Sequence, residues 1–288
     1  MDRPMHPLSH LVLFRDSRFR EVDLSYSIVR MVEASCCEAL LQDMNDFIGS
    51  TYTEANARAR RAHVYQHQTD MEAFAFPVHS TGSPQTDHLP GFRLDNLPNS
   101  LAEICRGATR ALRIERGRVL FNVGRYPEDS SVLPPHYDGE LFDYTITPGV
   151  GNSVRSGIRP TEVALLTLRN ETECCGTSLH DADGKIVETH AQPGELLVFD
   201  NTTYQHGIPA TGPNVVAGPN ARPPRWVRYV VGWRALEEGY YWNDAEPLRP
   251  IAFEEAIALH DRFLANDWPS LIPSELARGS FPYPTRYV

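Results

Sequence analysis

Two spacings of apolar residues divide the chain, and the change comes at Gly117. Before it the spacing is helical. Val29, Val32, Cys36, Leu40 and Phe47 fall on one face of a predicted helix that Gly49 would stop. Residues 53–66 are rich in Ala and Arg and read as a second helix. Residues 76–98 carry Pro77, Gly82, Pro84, Pro90, Gly91 and Pro98 and read as a long loop. Asn99-Ser100-x-x-Glu103 then has the form of a capping box. It opens a predicted helix with Leu101, Ile104, Cys105, Ala108 and Leu112 on one side.

After Gly117 the apolar residues come in short β-type runs: Arg118–Tyr126, Glu162–Arg169, Leu196–Phe199 and Trp226–Leu236. Gly, Pro, Asn and Asp separate them. Strands without intervening helices predict an antiparallel sandwich or barrel. After Pro250, helical spacing returns in Phe253, Ala256, Ile257, Phe263 and Leu264. The pattern predicts one domain over 1–288. Residues 1–115 form a mainly helical support, 116–245 a β core and 246–288 a closing helical segment. Residues 139–160 read as an insert, equally a lid or a disordered loop.

Composition removes several classes of function. The 288 residues are 41% hydrophobic and 22% charged, as in ordinary globular proteins. The net charge is −10 with no basic stripe, which argues against nucleic acid as partner. No apolar run approaches the ~20 residues of a membrane span, and the N-terminus lacks a signal-like apolar stretch. The five cysteines include the neighbour pairs Cys36-Cys37 and Cys174-Cys175 and fit no disulfide framework. A reducing cytoplasm is the expected location. Lys185 is the only lysine among 27 basic residues, a bias read here as that of a GC-rich, bacterial genome.

Among eleven histidines, only His136 stands in a His-x-Asp triplet, His136-Tyr137-Asp138. Residues i and i+2 of a strand share a face, so imidazole and carboxylate would converge. His206 follows the turn and apolar strand of Pro193–Asp200, in a short polar loop. Two imidazoles and one carboxylate on a β core make a facial triad. That set suits Fe(II) with open cis positions, and a zinc hydrolase could use the same donors. Farther on, Arg228, Val230, Gly232 and Arg234 share one strand face, and Val227, Tyr229, Val231 and Trp233 share the other. A guanidinium among apolar inward positions needs an anion, either a dicarboxylate ligand or an internal Asp or Glu.

Taken in order, Arg125-Tyr126-Pro127, Pro135-His136-Tyr137-Asp138, Leu165-Leu166-Thr167-Leu168, Cys175-Gly176-Thr177-Ser178-Leu179, Pro193–Asp200, His206 and Arg228-Tyr229 resemble the prolyl-hydroxylase-like Fe(II)/2-oxoglutarate dioxygenases. The resemblance spans about residues 117–236. It implies an α+β fold with a double-stranded β-helix, or jelly-roll, core flanked by helices. It implies His136, Asp138 and His206 as iron ligands. It implies Arg228, Tyr126 and Thr167 as 2-oxoglutarate contacts, with Asn122 and Gly124 on the pocket side of Tyr126. The connection from His206 to Arg228 is longer than the family's, so Arg222 and Arg225 compete for the role of Arg228. The cofactors implied are Fe(II), 2-oxoglutarate as cosubstrate and O₂.

The implied reaction is hydroxylation of an unactivated C–H bond in a small or medium-sized metabolite, with succinate and CO₂ as co-products. Bacterial secondary metabolism is one setting for it. Desaturation, epimerisation, oxidative cyclisation and a non-oxygenase metal-binding jelly roll are the rivals. Relatives that halogenate carry Gly or Ala where Asp138 stands, so the resemblance implies oxygenation without chlorination.

Overall fold

The computed structural model describes residues 26–51, 63–66, 72–79, 91–128, 132–146, 153–172, 176–209, 225–243, 246–265 and 285–286. Strand β1 (Tyr26–Arg30) precedes helix α1 (Cys37–Thr51). Strands β2 (His63–Gln66), β3 (Glu72–His79) and β4 (Phe92–Arg93) lead to helix α2 (Asn99–Ala111). The strand-rich half runs through β5 (Arg118–Pro127), β6 (Leu133–His136), β7 (Glu140–Ile146), β8 (Ser153–Arg159), β9 (Glu162–Asn170) and β10 (Thr177–His180). It continues through β11 (Ile186–Thr189), β12 (Glu195–Asp200), β13 (Gln205–Ile208), β14 (Trp226–Ala235), β15 (Tyr240–Asn243) and β16 (Glu246–Pro250). Helix α3 (Phe253–Ala265) and β17 (Thr285–Arg286) close the described chain.

Three sheets form. The large one runs β1-β12-β9-β14-β5-β3-β2-β17, with β4 beside β3, and the second runs β11-β10-β13-β6. The β12-β9-β14-β5 and β11-β10-β13-β6 quartets alternate along the chain between the two sheets, which makes the double-stranded β-helix. The third sheet, β16-β15-β8-β7, holds strands β7 and β8 of the 139–160 insert as an antiparallel pair.

Period-two alternation builds both layers of core. On β5, Val119, Phe121 and Val123 face helices α1 and α2, together with Tyr229, Val231 and Trp233 of β14. Leu40 and Met44 of α1 and Leu101, Ile104 and Ala108 of α2 cover them. Each large aliphatic side chain buried there contributes about 1.5–3 kcal/mol. The opposite faces supply Tyr126, Leu165 and Val230, which meet Leu133, Leu179 and Ile208 of the second sheet. This gap between sheets is where a cavity can open.

Several local expectations are corrected. Residues 1–115 hold the two amphipathic helices but also β1 to β4, most of which widen the large sheet. Val29 lies in β1, 37% exposed, so the first helical face begins later, at Cys37. His63–Gln66 of the Ala/Arg-rich segment is strand; the rest of that segment lies outside the described residues. Pro77 is inside β3, opposite Leu120, not in a loop. The capping box does not form, because Pro98 takes the N-cap position, Ser100 falls inside the first turn and no side chain caps α2. The Ser100 hydroxyl instead donates to Asp43 Oδ2 of α1 at 2.7 Å, a tertiary contact. Asp181–Gly184 turns the β10–β11 hairpin, with Gly184 at φ +81°. Cys174 and Cys175 lie outside the described residues.

One buried ion pair closes the core. The Arg118 Nε donates to Glu237 Oε1 at 2.7 Å, and the Arg118 backbone N–H to Oε2 at 2.7 Å. The side chains are 1% and 0% exposed. Gly117 makes the approach possible. It sits at φ +87°, and a Cβ there would lie 2.8 Å from Glu237 Oε2. Removing one member of such a pair strands the other in low dielectric. Arg118→Met is therefore expected to cost about 3–5 kcal/mol, read as a lowered urea midpoint with an unchanged slope.

Burial also pushes the Cys105 thiol up to about 12 and the Cys37 thiol up to about 11. Thiolates are the reactive species. Iodoacetamide at pH 8 is expected to leave both unmodified until denaturant is added, as read by peptide mass.

Candidate metal centre

The second sheet brings His136 and His206 together. They are direct partners across β6 and β13, with ring centroids 4.3 Å apart. His206 thus lies in a strand and not in a loop. Gly207 permits the close packing of these strands, since a Cβ there would stand 3.0 Å from the Leu133 carbonyl oxygen. Asp138 follows β6 and turns back to the same point. One ligand atom from each of His136, Asp138 and His206 lies within 4.8 Å of the others, and all three residues are buried.

The electrostatics suit a cation. His136 Nδ1 pairs with the Pro134 carbonyl oxygen at 2.8 Å. A carbonyl only accepts, so the proton is on Nδ1 and Nε2 keeps its lone pair. Burial lowers the His136 pKa, against the pull of Asp138. Burial and then the neighbouring His136 hold His206 down at about 3. Both imidazoles are neutral at pH 7, the state a metal ligand needs. His206 Nδ1 is buried with no hydrogen-bond partner among the described residues.

A cavity runs from this cluster along β5 and β14. Leu120, Asn122, Gly124 and Tyr126 form one wall, and Val230, Gly232 and Arg234 another. Leu133, Leu165 and Ile208 complete it. Its surface is mainly apolar, and Asn122 Oδ1 is buried there without a partner among the described residues. At Gly124, a Cβ would come within 3.2 Å of the Tyr126 hydroxyl. An incomplete imidazole, an orphaned amide oxygen and a cradle that a side chain would fill all fit a site for a metal and a small polar ligand.

Arg228 pairs with Tyr126 across β14 and β5, its Cζ 5.8 Å from the tyrosine ring centroid. It is fully buried beside Tyr126 of the cavity wall and does not itself line the cavity. It donates to the Pro209 carbonyl at 3.1 Å and to Thr172 Oγ1 at 3.0 Å. Its competitor Arg225 is 66% exposed and pairs with Glu171 outside. Arg222 lies outside the described residues. Burial raises the Tyr126 pKa. Thr167 is buried opposite Val230 and does not line the cavity, and its carbonyl accepts from Gly194 N–H at 2.8 Å.

Two residues at the cluster had been given no role. Arg234 reaches Asp138 Oδ1 at 2.8 Å. Its signal was present in the sequence, since it shares the face of Arg228. Asn201 is fully buried and bonds the Asp138 peptide on both sides. Nothing in the sequence around Asn201 announces that contact.

No family model matches this sequence, and no curated protein does. Among solved structures, it is similar to a prolyl-4-hydroxylase from Pseudomonas putida, with a TM-score of 0.38 and 14% identity over 74% of this chain and 93% of that one. It is similar to the collagen prolyl hydroxylase of Paramecium Bursaria Chlorella virus-1, solved with 2OG, with a TM-score of 0.40 and 12% identity over 74% and 97%. A 2OG-Fe(II) oxygenase-family oxidoreductase from Burkholderia pseudomallei gives a TM-score of 0.39 and 10% identity over 75% and 85%.

Proposed function

We propose that this protein is a non-haem Fe(II), 2-oxoglutarate-dependent oxygenase that hydroxylates a C–H bond of a small or medium-sized metabolite. The observation that carries the reading is the convergence of His136, Asp138 and His206 at the head of an apolar cavity. His136 and His206 are 70 positions apart in sequence, yet directly opposite in register. The free thiols of Cys36, Cys37 and Cys105 suit a reducing cytoplasm.

In this reading the three side chains hold the iron, with His136 using Nε2. When bound, the iron would supply oxidation of the substrate by O₂, coupled to conversion of 2-oxoglutarate to succinate and CO₂. Arg228 holds the distal carboxylate of 2-oxoglutarate as a charge-assisted fork. Tyr126 orients that carboxylate from the neighbouring strand, and Thr167 contributes a polar contact. Leu120, Leu133, Leu165, Ile208 and Val230 exclude water from the reacting end.

The direct test is anaerobic. Adding 2-oxoglutarate to the Fe(II) protein is expected to produce a weak visible charge-transfer band. Its absence from protein that holds iron would leave a metal-binding jelly roll of another function. A metabolite screen that follows succinate release identifies the substrate. Product mass then separates hydroxylation, which adds one oxygen, from desaturation or cyclisation, which removes two hydrogens.

His136→Ala or His206→Ala is expected to abolish turnover and Fe(II) binding. Retention of more than a few per cent of activity would remove that residue from the ligand set. Chloride buffer is expected to yield no chlorinated product, because Asp138 fills the position a halide would need.

Truncating one side of a buried ionic hydrogen bond costs about 2 kcal/mol or more. At about 1.4 kcal/mol per tenfold, Arg228→Ala is expected to weaken 2-oxoglutarate by about thirty-fold. Fe(II) affinity should stay within about twofold, because the guanidinium is not a ligand. Arg228→Lys should recover only part. A normal 2-oxoglutarate affinity in Arg228→Ala, with the large defect in Arg222→Ala instead, would reassign the anchor.

A further inference from the structure

Asp138 is the ligand least secured by the sheets. His136 and His206 are fixed by their strand pairing. Asp138 lies beyond the end of β6, outside the strand pairs of the described residues. Two buried side chains from elsewhere hold it instead. The Asn201 carboxamide accepts from the Asp138 N–H at 2.9 Å and donates to the Asp138 carbonyl at 2.9 Å, acting as a one-residue strand partner. Its Nδ2 also reaches the Pro160 carbonyl at 3.0 Å, tying this turn to the 139–160 insert. At the other end of the residue, Arg234 meets Oδ1 at 2.8 Å. Both partners of that contact are nearly buried, at 8% and 6% side-chain exposure.

A carboxylate beside a divalent cation has two ways to bind. It can offer one oxygen, or rotate and chelate with both. Chelation would take a coordination position that a bidentate cosubstrate or O₂ needs. The Arg234 contact opposes that rotation, because chelation would force Oδ1 to give up or share a charge-assisted hydrogen bond. Asn201 prevents the backbone from following.

Resting on the oxygenase reading, we propose that Arg234 and Asn201 are positioning residues that hold Asp138 as a one-oxygen ligand. Arg234 is not itself a ligand, and Asn201 acts only through the Asp138 peptide. Outer partners of metal ligands typically change metal affinity by about 10–100-fold when removed.

The test uses Co(II) as a spectroscopic metal in the full-length protein. Intensities of its visible d–d bands report coordination number. Arg234→Met is expected to weaken Co(II) by about tenfold or more and to alter those bands, with near-UV circular dichroism unchanged. Arg234→Lys restores a charged donor and should bring affinity back to within about threefold, a rescue that mere cavity filling by Met would not give. Asn201→Ala should alter the bands with a smaller loss of affinity.

If Arg234→Met does not fold, Arg234→Gln replaces it. It keeps a neutral donor, and an affinity loss of about threefold or more supports the proposal. Unchanged Co(II) affinity and bands in the folded Arg234 variants overturn the positioning role alone. If the unaltered protein binds no Co(II) at all, the metal-centre reading falls with it. If it binds Co(II) but no 2-oxoglutarate, the oxygenase reading falls while the Co(II) measurements still decide the role of Arg234.

Discussion

The candidate site depends on strand β14 being hydrogen-bonded along both edges, to β5 on one side and β9 on the other. A strand held in this way cannot slip, because a shift of one residue would exchange its two faces. Tyr229, Val231 and Trp233 are committed to the helices, and Val230, Gly232 and Arg234 to the cavity. Indole and phenol groups on the helix face make the wrong register costly. The Trp233 indole donates to the Cys105 sulfur, and the Tyr229 hydroxyl to Asn45. The packing of the N-terminal helices thereby fixes which side chains face the cavity.

Charge inside this frame is confined to places where it has partners. Arg118 and Glu237 neutralise one another next to His260 of α3. Arg234 meets Asp138 at the other buried end. The two imidazoles stay neutral because burial outweighs the carboxylate beside them. The site is thus assembled from an anionic ligand with its counter-charge and two uncharged ligands, surrounded by aliphatic walls. That composition lets a dication enter without leaving an isolated charge in low dielectric when it is absent.

Much of this was legible from residue spacing. The alternation in Arg118–Tyr126 and Trp226–Leu236 located the central strands, and the inward parity of Arg234 was correct. The His-x-Asp triplet and His206 did meet. What escaped the sequence was set by long-range partners. Ser100 looked like part of a cap but bonds Asp43, 57 positions away in sequence. Asn201 bonds Asp138 across 63 positions, with no periodicity to mark it. Pro77 read as a loop former, yet it sits in β3 between neighbours that fix its place. The 139–160 insert left lid and loop equally open. Its strands were settled by pairing with β15, about 80 residues on, which no local pattern reports.

Among the described residues, strand β6 occupies the outer edge of its sheet and pairs only with β13, through His206–His136 and Ile208–Leu133 with an irregularity between them. Few ladder bonds secure it, so on backbone grounds it is the first strand of the jelly roll to fray. An ion bound by both imidazoles would cross-link that pair more firmly than its hydrogen bonds do. Chemistry and architecture then share one joint. An ion at that centre would clasp the edge of the second sheet from within.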